Sequence, residues 1–323
     1  MFGKLPELFG RDFALGYLLP AAVLLAAGTG ITDLFGTTRI YEQWNQLLSG
    51  TVAVDARSSF WIAVAVAALW AAAAALLALN IPIIRLLEGY DGWNPLNILM
   101  LWPLGRFDRL QREIAGVEDA IRNETEPDTR KALNRAYGAL LKRRAAEFPE
   151  SRHLVLPTMF GNTVRAFERY ADVVYGLDSI QAWGRLQAVI PADYRAALGE
   201  AKAEVDLWVN LWLAGVLVTL LYLAMAAHAG QAPEPWAPVA AALFALVAAT
   251  WARRSAALWG VLVKGAFDLY RGALCQQLGF ELPRSGAQER ELWTLLSQAM
   301  LYRNAGSADA LIKFRPLPRD DDT

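Results

Sequence analysis

The chain has 323 residues, 55% of them apolar and 20% charged, with a net charge of −1. That balance excludes a generally basic nucleic-acid binder. One cysteine, Cys275, and two histidines, His153 and His228, rule out an intrachain disulfide and leave too few ligands for a cysteine- or histidine-based metal site.

Four apolar segments organise the sequence: 13–31, 60–79, 207–227 and 236–252, none with Asp, Glu, Lys or Arg inside those limits. Crossing a bilayer core takes about 20 apolar helical residues. The expected fold class is therefore all-α: four transmembrane helices in two hairpins (1–80 and 207–253), plus a helical cytoplasmic domain from the insert 81–206 and the C-terminal region 254–323. The first segment reads as a retained helix rather than a signal peptide. It is long, Glu7 and Asp12 stand beside Lys4 and Arg11 ahead of it, and Ala26-Ala27-Gly28 is a weak cleavage pattern. Pro20 predicts a kink there. The connection 33–57 carries only Arg39 and Arg57 and 228–235 carries no Lys or Arg, whereas 80–206 carries 17 and the tail from Arg253 carries 10. The positive-inside rule then places both termini and the insert in the cytoplasm. Trp61, Trp208, Trp236 and Trp251 fall at expected helix ends, as an interfacial aromatic belt requires.

Residues 81–105 mix apolar clusters with Pro82, Pro95 and Pro103. They read either as an interfacial elbow along the inner membrane surface or as a broken continuation of the second helix. Phe107, Leu110, Ile114, Val117 and Ile121 step by three and four, which predicts a helix over 106–126. Pro127 ends it, and Leu133, Ala136, Tyr137, Leu140 and Leu141 form the stripe of a second arm, 128–147. The first arm is acid-rich, with seven acidic and four basic residues over 106–128. The second has six basic and one acidic over 130–147. Further on, Asn162 is a candidate cap for a helix 163–174, Gly176 a stop, and Asp178 the cap of a helix 179–189. A charged helix, 192–206, follows Pro191 and runs without a break signal into the third apolar segment. The fourth is expected to continue past Arg253-Arg254, with Leu258, Val261, Leu262, Phe267, Tyr270 and Leu274 facing a partner surface. Ser285 and Gln288 form a capping-box pattern for a helix 286–303, and the tail 319–323 reads as disordered.

The stretch from Leu156 carries Leu156-Pro157-Thr158, Gly161-Asn162, Arg165-Ala166, Glu168, Tyr175-Gly176-Leu177-Asp178, Trp183 and Arg185-Leu186. In these positions it resembles a segment of uncharacterised bacterial multi-pass membrane proteins, LPTxxGNxxRAxE followed by YGLD and WxRL. The resemblance implies a bacterial inner-membrane protein in which this segment is a shared structural unit. It brings no activity with it.

An enzyme lacks its minimum parts here. His153 has no Ser or Cys in an activating context nearby, Asp178-Ser179 reads as a helix start, Cys275 sits on an amphipathic stripe, and neither a phosphate loop nor HExxH is present. No catalytic residue, metal or cofactor is therefore expected. Coupled carriers place ionisable groups within their spans, and these segments have none. A pore built from a ring of identical chains needs only small or weakly polar lining residues. Asn210 and Thr219 are the pore-lining candidates. Lys142, Arg143, Arg144, Arg152, Arg165 and Arg169 are the candidates for an anionic ligand: a nucleotide, an oligonucleotide or a lipid head group. Alternatively, the basic residues pair with Glu113, Glu118 and Asp119 on the acidic arm. The expected function is a homo-oligomeric inner-membrane ion channel or membrane-disrupting effector gated by its cytoplasmic domain, a layout suited to nucleotide-signalled anti-phage defence. The alternative is a non-conducting scaffold that recruits a cytosolic partner through the 106–147 hairpin.

Overall fold

The structure is a computed structural model that describes residues 10–37, 56–90 and 93–316. The tail 319–323 and most of the first connection, Arg39 included, lie outside the described residues. Among those described, every regular element is helical and no strand occurs. Four helices are long and apolar enough to cross a membrane. The chain divides into two compact units: the first holds residues 1–87 and 199–255, the second 88–198 and 256–323.

In the first unit, α1 (Arg11–Leu34) carries a π-helical turn at Ala14–Leu18, and α2 (Ala56–Ala78) is the second span-length helix. The irregular turn sits where Pro20 predicts distortion. Proline has no N–H, so the carbonyl four residues back, that of Gly16, loses its α-helical donor. The Phe13 and Trp70 rings stack at 5.7 Å between the two helices. Most of α2 leaves its apolar side chains open, Phe60 and Val66 among them. The other two span-length helices are α9 (Ala192–Ala229) and α10 (Trp236–Gln277), numbered after the second-unit helices below. They approach closely at Gly215, where a Cβ would stand 2.9 Å from the Ala245 Cβ and 3.0 Å from the Ala241 carbonyl oxygen. Small residues at such crossings let apolar helices gain dispersion contacts that the bilayer cannot supply. Trp208 stacks on Trp251 at 5.5 Å.

At their start, residues 81–105 follow the expectation of a broken continuation of the second helix. The chain resumes helix at α3 (Asn80–Glu88) with only a local break, and Ile83 N–H still bonds the Leu79 carbonyl at 3.0 Å. Gly89 ends it at φ 85°. A 3₁₀ turn at Pro95–Leu99, capped by Asn94, then leads into α4 (Leu101–Asn123). The helix expected from 106 thus begins at 101, because Pro103 falls in its first turn, where its missing N–H would be unpaired anyway.

In the second unit, α4 and α5 (Pro127–Glu147) pack as the two stripes require. Phe107, Leu110 and Ile114 are buried with Phe148, Val155 and Met159, and Tyr137, Leu140 and Leu141 lean on them. Then come α6 (Met159–Glu168), α7 (Tyr170–Tyr175) and α8 (Ser179–Val189). The single helix expected over 163–174 is two, beginning at 159 because Thr158 rather than Asn162 is the cap. The helix after 192 and the continuation past Arg254 are as expected: α9 and α10 are each unbroken. The face of α10 beyond 254 is corrected in part. Phe267 and Leu274 are buried, but Leu258 and Val261 are exposed, and Ala256, Val263 and Ala266 take the inner positions. Helix α11 (Gly286–Tyr302) starts at the expected place, yet its Ser285 cap makes no side-chain hydrogen bond, so the capping box does not form. Helix α12 (Ala305–Ala310) closes the described chain with a 3₁₀ turn.

Candidate functional site

The segment from Leu156 to Leu186 is a clamp inside the second unit. Residues 155–157 belong to no helix or strand, so their backbone groups need partners from elsewhere. Asn162 supplies them from one turn inside α6. Its Oδ1 accepts from Leu156 N–H at 2.8 Å, and its Nδ2 donates to the carbonyls of Leu156 and Thr158 at 2.8 and 2.7 Å. Thr158 Oγ1 accepts from Gly161 N–H at 2.9 Å, capping the helix. Gly161 has no side chain because there is no room for one: a Cβ would lie 2.0 Å from the Glu88 carbonyl oxygen. Arg165 lies 4.8 Å over the Tyr90 ring, and the Tyr90 hydroxyl donates to Glu168 at 2.5 Å. Burial, then the Glu168 charge, pushes the Tyr90 hydroxyl above its ordinary range.

The second half behaves the same way. Gly176 stops α7 at φ 77°, and a Cβ there would meet Thr294 Oγ1 at 2.8 Å. Asp178 caps α8 by accepting from Ile180 and Gln181 N–H, both at 3.0 Å, while its own N–H donates to Ser297 Oγ at 2.9 Å. The Tyr170 and Tyr175 hydroxyls both donate to Asp268 on α10, at 2.8 and 2.6 Å. Trp183 packs on Phe267, and Leu177 and Leu186 are fully buried. The side chains named above therefore cap, clamp or fill. His153 is exposed in a 3₁₀ turn, and Cys275 is buried with its thiol toward the Phe280 carbonyl. Among the described residues, no group of three or more His, Cys, Asp or Glu is placed to hold a metal.

The six basic candidates do not converge. Arg152 forks onto Asp108 at 2.8 and 3.1 Å, a bond that holds the Asp108 carboxyl below the usual carboxylate range. Arg169 holds Glu150 at 2.8 Å and Asp172 at 2.6 Å. Arg144 donates to the Glu150 carbonyl at 2.6 Å, and Arg165 is spent on Tyr90. Lys142 and Arg143 remain exposed, Arg143 at 3.4 Å from Glu147 in its own helix. The suggested pairing between arms takes a different form. Glu118 and Asp119 hold Arg122 within α4, and the pair between the arms is Arg106 with Glu147, at 3.7 Å.

What does converge is a groove of about 600 Å³ at the start of α4, lined by Trp102, Arg106, Arg109, Arg112, Glu113 and Arg143. Of these only Arg143 was a sequence candidate. A signal is present: Arg106, Arg109 and Arg112 are three apart, so each neighbours the next along the helix surface. The net acidic count of 106–128 hid them.

In the first unit, Asn210 is fully buried and donates from Nδ2 to the Gly16 carbonyl at 2.8 Å. This is the carbonyl that Pro20 leaves without its α-helical donor, so the buried side chain supplies the bond that the helix cannot. Thr219 bonds the Gly215 carbonyl of its own helix at 2.8 Å. Asp206, one residue outside the third apolar segment, is buried beside the first. It accepts from Tyr17 at 2.9 Å and pairs with Lys202. A buried carboxylate needs such partners to offset its desolvation. No family model, curated protein or solved structure matches the chain.

Proposed function

We propose that the protein is a homo-oligomeric channel, or membrane-disrupting effector, of the bacterial inner membrane, opened through its cytosolic helical unit by an anionic signal. One observation carries this: α9 and α10 each continue from a span-length apolar stretch into residues of the second unit without a break, over 38 and 42 residues. A continuous helix transmits displacement along its axis. At about 1.5 Å per residue, α9 is a rod of about 57 Å. Four spans with no charged residue inside their apolar limits suit a pore formed by a ring of copies better than a coupled carrier. Nucleotides and oligonucleotides of the kind used in anti-phage signalling are the first ligands to test. Planar-bilayer recording of the purified full chain, with and without them on the cytosolic side, should show ligand-dependent openings. Silent bilayers under all of these conditions refute the proposal.

A second reading has its own support. Helix α5 buries none of its residues, so the outer side of the hairpin is open to a partner. A non-conducting scaffold would hold a cytosolic protein there and lose it when α5 surface charges are reversed. Unchanged recovery of that protein on pull-down removes this reading.

A further inference from the structure

We infer that the turn before α4 is seated in the membrane interface and that the arginine groove behind it binds the phosphate of anionic phospholipid head groups. This rests on the membrane assignment but not on conduction. The turn and the first helical residues expose Trp93 (93%), Ile98 (85%), Leu101 (83%) and Trp102 (57%). Ile98, Leu101 and Trp102 are spaced i, i+3, i+4 and so share one side. Soluble surfaces do not concentrate large apolar side chains this way without a partner. The same side continues through Gly105 to Arg109 and Arg112. From Trp102 to Arg109 is about 10 Å of helix at about 1.5 Å per residue. An apolar end with tryptophan, followed within that distance by arginines, matches the step from acyl chains to head groups.

The charges support an anion in the groove. Four arginines line it with one carboxylate, Glu113. Glu147 approaches Arg106 and Arg143 at 3.7 and 3.4 Å, while Arg112 donates to the Asp108 backbone carbonyl and the Asp108 carboxylate is taken by Arg152. The surplus is positive on Arg109 and Arg112, both exposed. Arg106 also stacks over Trp102 at 5.2 Å, tying the basic and apolar parts together. One point favours lipid over a second copy of the chain: a symmetric self-contact would bring two arginine rows together. Guanidinium groups recognise phosphate through paired N–H donors, a chemistry shared by free phosphate.

The test uses full-length protein in nanodiscs. Ile98→Cys carries a nitroxide, and the fully buried Cys275 does not compete for label. Paramagnetic accessibility should show strong access for oxygen and weak access for a water-soluble nickel complex. Strong nickel access, or exclusion of both by protein, overturns the proposal. Separately, the protein should retain phosphatidylglycerol over phosphatidylcholine through purification. Arg109→Glu, Arg112→Glu and Arg143→Glu together should lower that preference roughly a hundredfold, at about fivefold per basic side chain. The corresponding lysine triple variant, which keeps the charge but loses the paired donors, should lie between the wild type and the glutamate variant. Equal retention of both lipids, or displacement of phosphatidylglycerol by inorganic phosphate alone, overturns it. Neither arm reads conductance, so a silent channel would leave this outcome intact.

Discussion

Replacing Asn162 by Leu keeps the branching and heavy-atom count of the side chain but removes three hydrogen bonds made with no exposure to water. Thr158 O keeps its helical bond from Asn162 N–H at 3.1 Å. Leu156, itself buried, loses the partners of both its N–H and its carbonyl. Each of the two unsatisfied backbone groups costs about 1–3 kcal/mol, so the variant should lose about 2–6 kcal/mol. A domain of this size shifts by about 2–4 °C per kcal/mol, which makes the drop in melting temperature roughly 4–24 °C in detergent. Asn162→Asp provides a second reading of the same contact. Its carboxylate would face the two carbonyls that the amide nitrogen meets at 2.8 and 2.7 Å. Burial and those dipoles raise its folded pKa above the ordinary value of about 3.9. A raised folded pKa gives a contribution that is full below the ordinary value and lost as pH rises through the folded one. The Asp variant should therefore melt nearest to wild type in acid and furthest at neutral pH. A Leu variant as stable as wild type, or an Asp variant indifferent to pH, would refute the clamp.

Three further outcomes follow from contacts elsewhere. Asn210→Leu should cost about 0.6–1.7 kcal/mol, the range of hydrogen bonds between membrane helices, and the cost should shrink in a Pro20→Ala background, where residue 20 regains an N–H for the Gly16 carbonyl; a double-mutant cycle in SDS unfolding reads the coupling. Gly215→Leu should lower stability by about 1–3 kcal/mol because α10 occupies its space, whereas Gly138→Ala, with nothing within 4 Å of the new Cβ, should raise it by up to about 1 kcal/mol; both are read in thermal melts. Tyr90 holds its proton more tightly folded than its ordinary 10.0 allows, so stability is full below that value and falls as pH rises above it; Tyr90→Phe should reduce that alkaline loss in denaturant titrations at about pH 9 and about pH 11.

The span-length helices and the α9 rod are legible because their signals are local: charge-free apolar runs, and no Pro from 192 to 229. The start of α4 was not, since Pro103 is a breaker inside a helix and harmless in its first turn. Asn162 suits a cap by type, but its side chain serves the irregular segment 156–158, which only tertiary structure defines, and Thr158 caps the helix instead. The arginine groove escaped because charge counted along the sequence averages over all sides of a helix, and binding depends on one side. The bond from Asn210 to the Gly16 carbonyl is foreshadowed by Pro20, which removes that carbonyl's α-helical donor, but which helix supplies the replacement depends on tertiary packing.

The central claim is that the second unit drives the spans through α9 and α10. Single-channel recording of the full chain beside a Gly199→Pro variant, which interrupts α9 ahead of its apolar stretch, tests it most directly. Ligand-dependent openings in the wild type that vanish in a variant of unchanged oligomeric mass are the expected result. Silence in the wild type, or an interrupted helix that still responds to ligand like the wild type, would contradict it.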